Sequence, residues 1–505
     1  MLGPIPEAIV FLAHDLGTTG DKATLYDAEG TLLGAVTVPY PTDYGAGGRA
    51  EQDPEQWWDA VAGATRRLLE QTGLPAARVQ SVSFSGQMMG AVPLDAKGDP
   101  VRPALIWADT RSVRQCEQLL EQVGMERGYE LTGHRLNPTY SLTKAMWVRD
   151  EEPGAWERTA AICQAKDFIA YRLTDRLVTD PSDASSTNAF DQRSGRWSRE
   201  LLEAAAIDAD LLPEVVPSTT VIGGVTAAAA KHTGLLQGTP VVIGGGDGPC
   251  GATGAGRIGP EDGAYCYLGS SSWISLAADA PMLDPSMRSM TFNHVVPDRY
   301  VPTATMQAGG ASLEWIADVL EPAGGADRWD RLLADVATTS AADEGLLFLP
   351  HLLGERSPYW DPHARGAFIG LSKHHGPPAL VRAVMEGVAM NLRTCIQAFE
   401  QQGAEIGPID AIGGGARSGA WLQICADVWG VEVRQRSLVE EATSLGAAVI
   451  GGVGVGALSG FEVARTYSHL ERTYEPDPMV HERYASRHEQ FLTAYRQLEP
   501  LFADL

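Results

Sequence analysis

Apolar runs along this chain start one structural plan twice. Residues 8–38 alternate as a β-meander: AIVFLA, then KATLYD, then TLLGAVTV, with Asp27-Ala28-Glu29-Gly30 as the turn between the second and third runs. Residues 55–71 carry the helical period after Asp53-Pro54, a cap followed by proline at the first helical position. Residues 79–85 read as a strand ending in Gly86-Gln87-Met88-Met89-Gly90, and helical patterns fill about 112–172. Residues 240–246 read as a buried strand entering a glycine turn, followed by a small-residue helix over 249–256. A second β-rich start, GAYCYLGSSSWISL over 263–276, repeats the opening order of strand, small polar turn and strand. Strands and helices then alternate to about 456, and residues 475–505 read as a charged amphipathic helix. Gly and Pro cluster at 256–262, so the expected division is two α/β domains, 1–256 and 257–460, with a helical tail over 461–505.

Composition narrows the chemistry. The 505 residues are 44% hydrophobic, ample for large cores, and no apolar run is long enough for a membrane helix. Acidic residues outnumber basic ones 64 to 39, for a net charge of −25, which disfavours nucleic acid and anionic membranes as partners. No Lys follows a Gly, so a Walker A loop is excluded. Six Cys at irregular spacings and no basic leader predict buried free thiols in a cytoplasmic protein.

Two short segments hold the candidate chemistry. Asp15 ends an apolar run and is followed by Gly17, Thr18, Thr19 and Gly20; backbone N–H groups and hydroxyls there can cradle phosphate oxygens while Asp15 holds Mg²⁺ through water. An ordinary hairpin turn reads the same way. Asp247, in Gly244-Gly245-Gly246-Asp247-Gly248, ends a second apolar run and suits a proton acceptor or a plain helix N-cap. In folds with two facing domains such strand ends can meet across one cleft, as an ATP-dependent phosphoryl transfer requires. Gly269, Ser270 and Ser271 offer a second phosphate turn or a polar strand connection. Gly413, Gly414 and Gly415 can lie flat against a purine ring, or form a strand-to-helix loop capped by Ser418. Gln87 and Met88, with Asp109 and Arg111 beyond Trp107, supply an amide, apolar faces, a carboxylate and a guanidinium suited to a polyhydroxylated ligand. The G-x-G-x-x-G at 254–259 ends a helix instead of opening one, so it is not a dinucleotide fingerprint.

In order, these segments resemble the FGGY family of carbohydrate kinases, and within it the xylulose kinases, over about residues 8–490. The resemblance also rests on Glu51 to Trp58, Lys166-Asp167-Phe168, Asp180 to Ala184, Gly354-Glu355-Arg356-Ser357-Pro358 and the segment 366–387. It implies an α/β protein of two actin-like (ribonuclease H-like) ATPase domains facing a central cleft. It implies Asp247 as catalytic base, and Asp15 as the magnesium-associated carboxylate. Gly17 to Thr19 and Gly269 to Ser271 fall on the phosphate turns, and Gly413 to Gly415 on the adenosine site. Met88 and Met89 fall on the sugar-contacting pair. Two departures bear on the substrate: Met89 stands where xylulose kinases carry His, and Gly248 where they usually carry Asn. The expected reaction is phosphorylation of D-xylulose, or of another ketopentose, a ketohexose or a polyol (ribulose, L-xylulose, erythritol), with ATP and Mg²⁺. A homodimer follows from the resemblance. A non-metabolic actin-like ATPase is the reading from another class.

Overall fold

This computed structural model describes residues 9–325, 327–336, 344–437 and 441–505. In the first half, strand β1 (Val10–Leu16) runs antiparallel to β2 (Gly20–Asp27), which pairs with β3 (Leu32–Pro39). On its other side β1 runs parallel to β4 (Val79–Gly86). Beyond β4 come β5 (Val221–Gly224) and β6 (Pro240–Val242), giving the order β5-β6-β4-β1-β2-β3, with β7 (Gly245–Gly246) also pairing β4. The helix predicted after Asp53 is α1 (Pro54–Thr72), with Asp53 as its cap. Its Trp57 and Leu68 pack with Phe84 and Val241 in one core.

The second half repeats this plan. Strand β8 (Ala264–Leu268) forms a hairpin with β9 (Ser272–Leu276), which continues to β11 (Tyr300–Met306) and β10 (Met290–Asn293). On its other side β8 runs parallel to β12 (Ile409–Ile412), followed by β13 (Val433–Arg436) and β14 (Leu470–Tyr474). Segment 461–505 is thus more than a helical tail. Strand β14 is the edge of the second sheet, and Phe491, Tyr495 and Phe502 of the final helix join the core that holds Trp421 and Trp429.

Two small-residue helices, α4 (Asp247–Gly254) and α7 (Ala442–Gly454), cross between the halves. A Cβ on Gly254 would lie 1.8 Å from the Ala442 carbonyl oxygen, and one on Gly446 2.0 Å from that of Cys250. Only glycine permits this approach. Although α7 follows the second sheet's strands, it packs Leu445 and Ala448 against Phe11 and Ala13 of β1. All six Cys are buried and free. Among the described residues no helix is long and apolar enough to cross a membrane.

Candidate functional site

The parallel strands β1 and β4 end side by side, and β7 pairs the end of β4. Asp15 lies opposite Ser85 on β4, and Gly245 opposite the same Ser85. Asp247 follows β7 directly, so β4 alone separates the two carboxylates, a backbone span of ~10 Å at ordinary strand spacing. The sequence expectation of strand ends meeting across a cleft is corrected here: both belong to one sheet edge. This is the carboxyl edge of parallel strands, where open α/β sheets place ligands.

Asp15 is half-buried, and both of its oxygens accept hydroxyl hydrogen bonds, from Ser85 Oγ at 2.8 Å and from Thr443 Oγ1 at 2.7 Å. Burial raises its carboxyl pKa, against the pull of those two hydroxyls and the Lys22 charge. Asp247 is the first residue of α4, and Gly246 is the N-cap, so the N-cap reading of Asp247 is set aside. Among the described residues its Oδ1 accepts only the Gly248 N–H, at 2.7 Å. The carboxylate is exposed on one side yet walled by protein on the others. That enclosure, then the negative charge of Asp15, pushes its pKa up to about 7, while the Gly248 N–H and the Arg356 charge oppose the rise. Two neighbouring carboxylates with raised pKa values and few donors leave a charge deficit that a divalent cation offsets.

The turn after β1 is tied down by side chains. Gly17 N–H bonds Gly20 O at 3.0 Å, and Tyr40 Oη donates to Gly17 O. Gln52 Nε2 donates to Thr18 O at 2.6 Å, and Trp107 Nε1 to Thr18 Oγ1 at 2.8 Å. The second hairpin turn sits on the start of a helix: Gly310 N–H donates to Gly269 O at 2.7 Å and Ala311 N–H to Ser270 O at 3.1 Å. Gly413 ends β12 at φ +86°, where a Cβ would strike the Leu268 carbonyl, while a Cβ on Gly414 would enter open space. Ser418 caps α6 (Gly419–Trp429), accepting the Trp421 N–H at 3.4 Å.

The remaining predicted residues divide. Gln87 is buried; its Nε2 donates to Gln52 Oε1 at 2.9 Å, and its Oε1 has no partner. Met88 and Met89 join Trp107, Trp273 and Trp360 in an apolar group beside Asp247's helix. Met89 holds φ +64°, an uncommon conformation for a side-chain-bearing residue. Ser186 Oγ accepts its N–H at 3.2 Å, and Lys144 Nζ donates to its carbonyl at 2.8 Å. Burial lowers the Lys144 pKa to about 7, with Asp109 opposing. Asp109 and Arg111 are occupied internally. Asp109 Oδ2 accepts the Ala50 N–H at 2.9 Å, Arg111 pairs with Asp109 and Glu51, and its guanidinium lies 4.3 Å from the Trp147 ring centre.

Sequence reasoning gave no role to Thr443, Ser85, Gln52, Tyr40 or Arg356. Only Gln52 and Arg356 lay in segments that carried the resemblance; Thr443 is 428 residues from Asp15 and no local pattern marks it. A buried Lys166 was also read only as part of a motif. It pairs with Asp167, Asp180 and Asp183 at 2.6, 3.0 and 3.2 Å, and Asp180 reaches the glycine turn through Ser182, whose Oγ accepts the Gly246 N–H. Elsewhere, Glu344, His374 and His375 converge. There the Ser372 N–H donates to His375 Nδ1 at 3.0 Å, and His375 Nε2 stands 3.6 Å from Glu344 Oε2.

Comparison with known proteins adds a family. Residues 10–254 match the N-terminal domain model of the FGGY family of carbohydrate kinases, and 264–455 match its C-terminal domain model. A xylulose kinase of Staphylococcus epidermidis is 33% identical over 98% of this chain and 98% of its own. A gluconokinase of Bacillus subtilis is 31% identical over 98% of this chain and 95% of its own. The ligand-bound xylulose kinase from Lactobacillus acidophilus superposes with a TM-score of 0.92, at 25% identity over 98% and 99% of the two chains.

Proposed function

The chain belongs to the FGGY family of carbohydrate kinases, and from that premise we propose that it transfers the terminal phosphoryl group of ATP to a primary hydroxyl of D-xylulose. The observation that carries the proposed chemistry is the pairing of Asp15 with Asp247 at one sheet edge. Asp247 takes the hydroxyl proton. The freed oxygen attacks the terminal phosphorus, that phosphorus–oxygen bond to ADP breaks, and ADP leaves. General-base help of this kind is worth roughly 10² to 10⁴ in rate. Within the turns at Gly17–Thr19 and Gly269–Ser271, the Gly17 and Gly269 N–H groups close the turns themselves, and Thr18, Thr19, Ser270 and Ser271 bind the phosphates; Gly413–Gly415 lie against the adenine. Asp15 would hold Mg²⁺, which would supply neutralising charge on the phosphate oxygens. Gln87, Met88 and Met89 line the sugar side. In this reading Asp109 and Arg111 act behind them, by holding the Ala50 and Trp147 walls. The six buried free thiols fit a cytoplasmic setting.

Xylulose leads because it is the substrate in the names of the S. epidermidis and L. acidophilus relatives. Gluconate is the second reading, favoured by the B. subtilis gluconokinase. The test is ADP release with Mg-ATP and each sugar in turn. D-xylulose should give the highest kcat/KM; a higher value for gluconate or a polyol would replace it.

A further inference from the structure

We infer that Arg356, reaching from the second half, is a substrate-binding group: its guanidinium, packed on Trp107, hydrogen-bonds oxygens of the acceptor sugar. The inference rests on the sugar-kinase reading of this site. Its starting point is the loop. Glu355 accepts the Gln307 and Arg356 N–H groups through Oε1, at 2.8 and 3.0 Å. Its Oε2 meets His351 Nδ1 at 3.0 Å and Asn391 Nδ2 at 3.2 Å. Four bonds on one buried carboxylate make the adjacent Arg356 backbone a rigid mount.

The side chain itself is left unpaired. Among the described residues Arg356 makes no ion pair, and its buried Nε has no hydrogen-bond partner. Burial lowers its pKa, opposed by the Tyr140 phenol and by the Glu355 and Asp247 carboxylates. An enclosed guanidinium without a contact partner is costly unless a ligand completes it. Its central carbon stands 5.8 Å from the Trp107 ring centre, and the same indole donates to Thr18 Oγ1. Arg356 of the second half thus packs on a residue that touches the first half's candidate phosphate turn, and its charge acts on the Asp247 carboxylate of α4. The groups acting on Asp247 are Asp15, Arg356 and the Gly248 N–H; Tyr265 and Cys250 also face it, and burial keeps both neutral. Arg356 is the single cation in that set. A fork of N–H donors at this place suits neighbouring sugar hydroxyls or a carbonyl, which offer paired oxygens.

The experiment compares wild type with Arg356→Gln and Arg356→Lys. It reads sugar binding by calorimetry without nucleotide, KM for sugar and for ATP, and the pH profile of kcat/KM. Arg356→Gln should weaken sugar binding about tenfold or more, leave the ATP KM within about twofold, and move the acidic limb of the profile to higher pH, because Asp247 has lost its cation. Arg356→Lys, which keeps the charge, should hold the limb near the wild-type position while still weakening sugar binding. If Arg356→Gln does not fold, the Lys variant alone decides: unchanged sugar binding overturns the inference. So does an unchanged pH limb in Arg356→Gln, or an equal rise in both KM values. Wild-type sugar binding without ADP release would remove the kinase reading and leave Arg356 as a sugar-binding residue. No sugar binding by the wild type would overturn both.

Discussion

In the first half, side chains fasten the hairpin turn: Tyr40, Gln52 and Trp107 bond Gly17 and Thr18. In the second half the N–H groups of Gly310 and Ala311 carry most of this, with one short side chain, Ser272, donating to Gly269 O at 3.3 Å. The two sheets around these turns share three antiparallel strands, two parallel ones and an antiparallel edge strand; the second adds β10, and its edge pair β13–β14 runs outward in chain order where β6–β5 runs against it. Asp15 stands one residue before the end of β1, and Tyr267 occupies that place in β8, stacked on Trp273 with ring centres 4.0 Å apart. One scaffold therefore carries two kinds of strand end. Asp15, Asp247 and Ser85 gather at the first half's strand ends, joined by Thr443 from α7; in the second, glycines and the Tyr267–Trp273 stack take those places. The difference teaches that topology places the strand ends and the residue types there decide the chemistry. Trp107 and Gln87 tie this turn to the residues beside Met88 and Met89: Trp107 donates to Thr18 Oγ1 and packs with both methionines, and Gln87 donates to Gly17 O.

The sharpest way to break this contrast is Asp247→Asn. It keeps shape and removes the proton acceptor, so kcat should fall roughly 10² to 10⁴-fold while ATP affinity, read by calorimetry, holds. Next is Lys166→Met, which strips the cation from three buried carboxylates. Breaking a buried pair costs about 3–5 kcal/mol, so the first half should melt in a separate, earlier calorimetric transition, with the second half near its original temperature.

Much of the first half was legible because its signals are local. Val10–Leu16 and Gly20–Asp27 alternate plainly, and Asp53-Pro54 marks the start of α1. The turn positions Asp15, Gly17 and Gly269 followed from small residues between strands. What escaped was whatever needs distance. Thr443 meets Asp15 only because α7 crosses onto the other sheet, and Arg356 meets Trp107 across the two halves. Asp109 and Arg111 read as ligands for the same reason: polar residues beyond an apolar run look free until Glu51 and Ala50 are seen against them.

Smaller effects sharpen the comparison. Raised to about 7 by enclosure and Asp15, the Asp247 carboxyl is protonated below that pH and cannot accept a proton. The kcat/KM should fall about tenfold per unit as pH drops below about 7, with the limb belonging to the Asp15–Asp247 pair. Gly414→Val, where a Cβ enters open space, should raise the ATP KM several-fold and shift stability by no more than about 0.5 kcal/mol. Trp107→Phe removes one hydrogen bond to Thr18, worth about 1 kcal/mol, and should lower kcat/KM about fivefold.

The most direct measurement follows ADP and sugar phosphate together, in wild type and Asp247→Asn, with Mg-ATP and D-xylulose. The account predicts sugar-dependent, equimolar release of both products by the wild type and their near loss in the variant, with nucleotide binding intact. ADP release that ignores the sugar, or that survives Asp247→Asn undiminished, would contradict it.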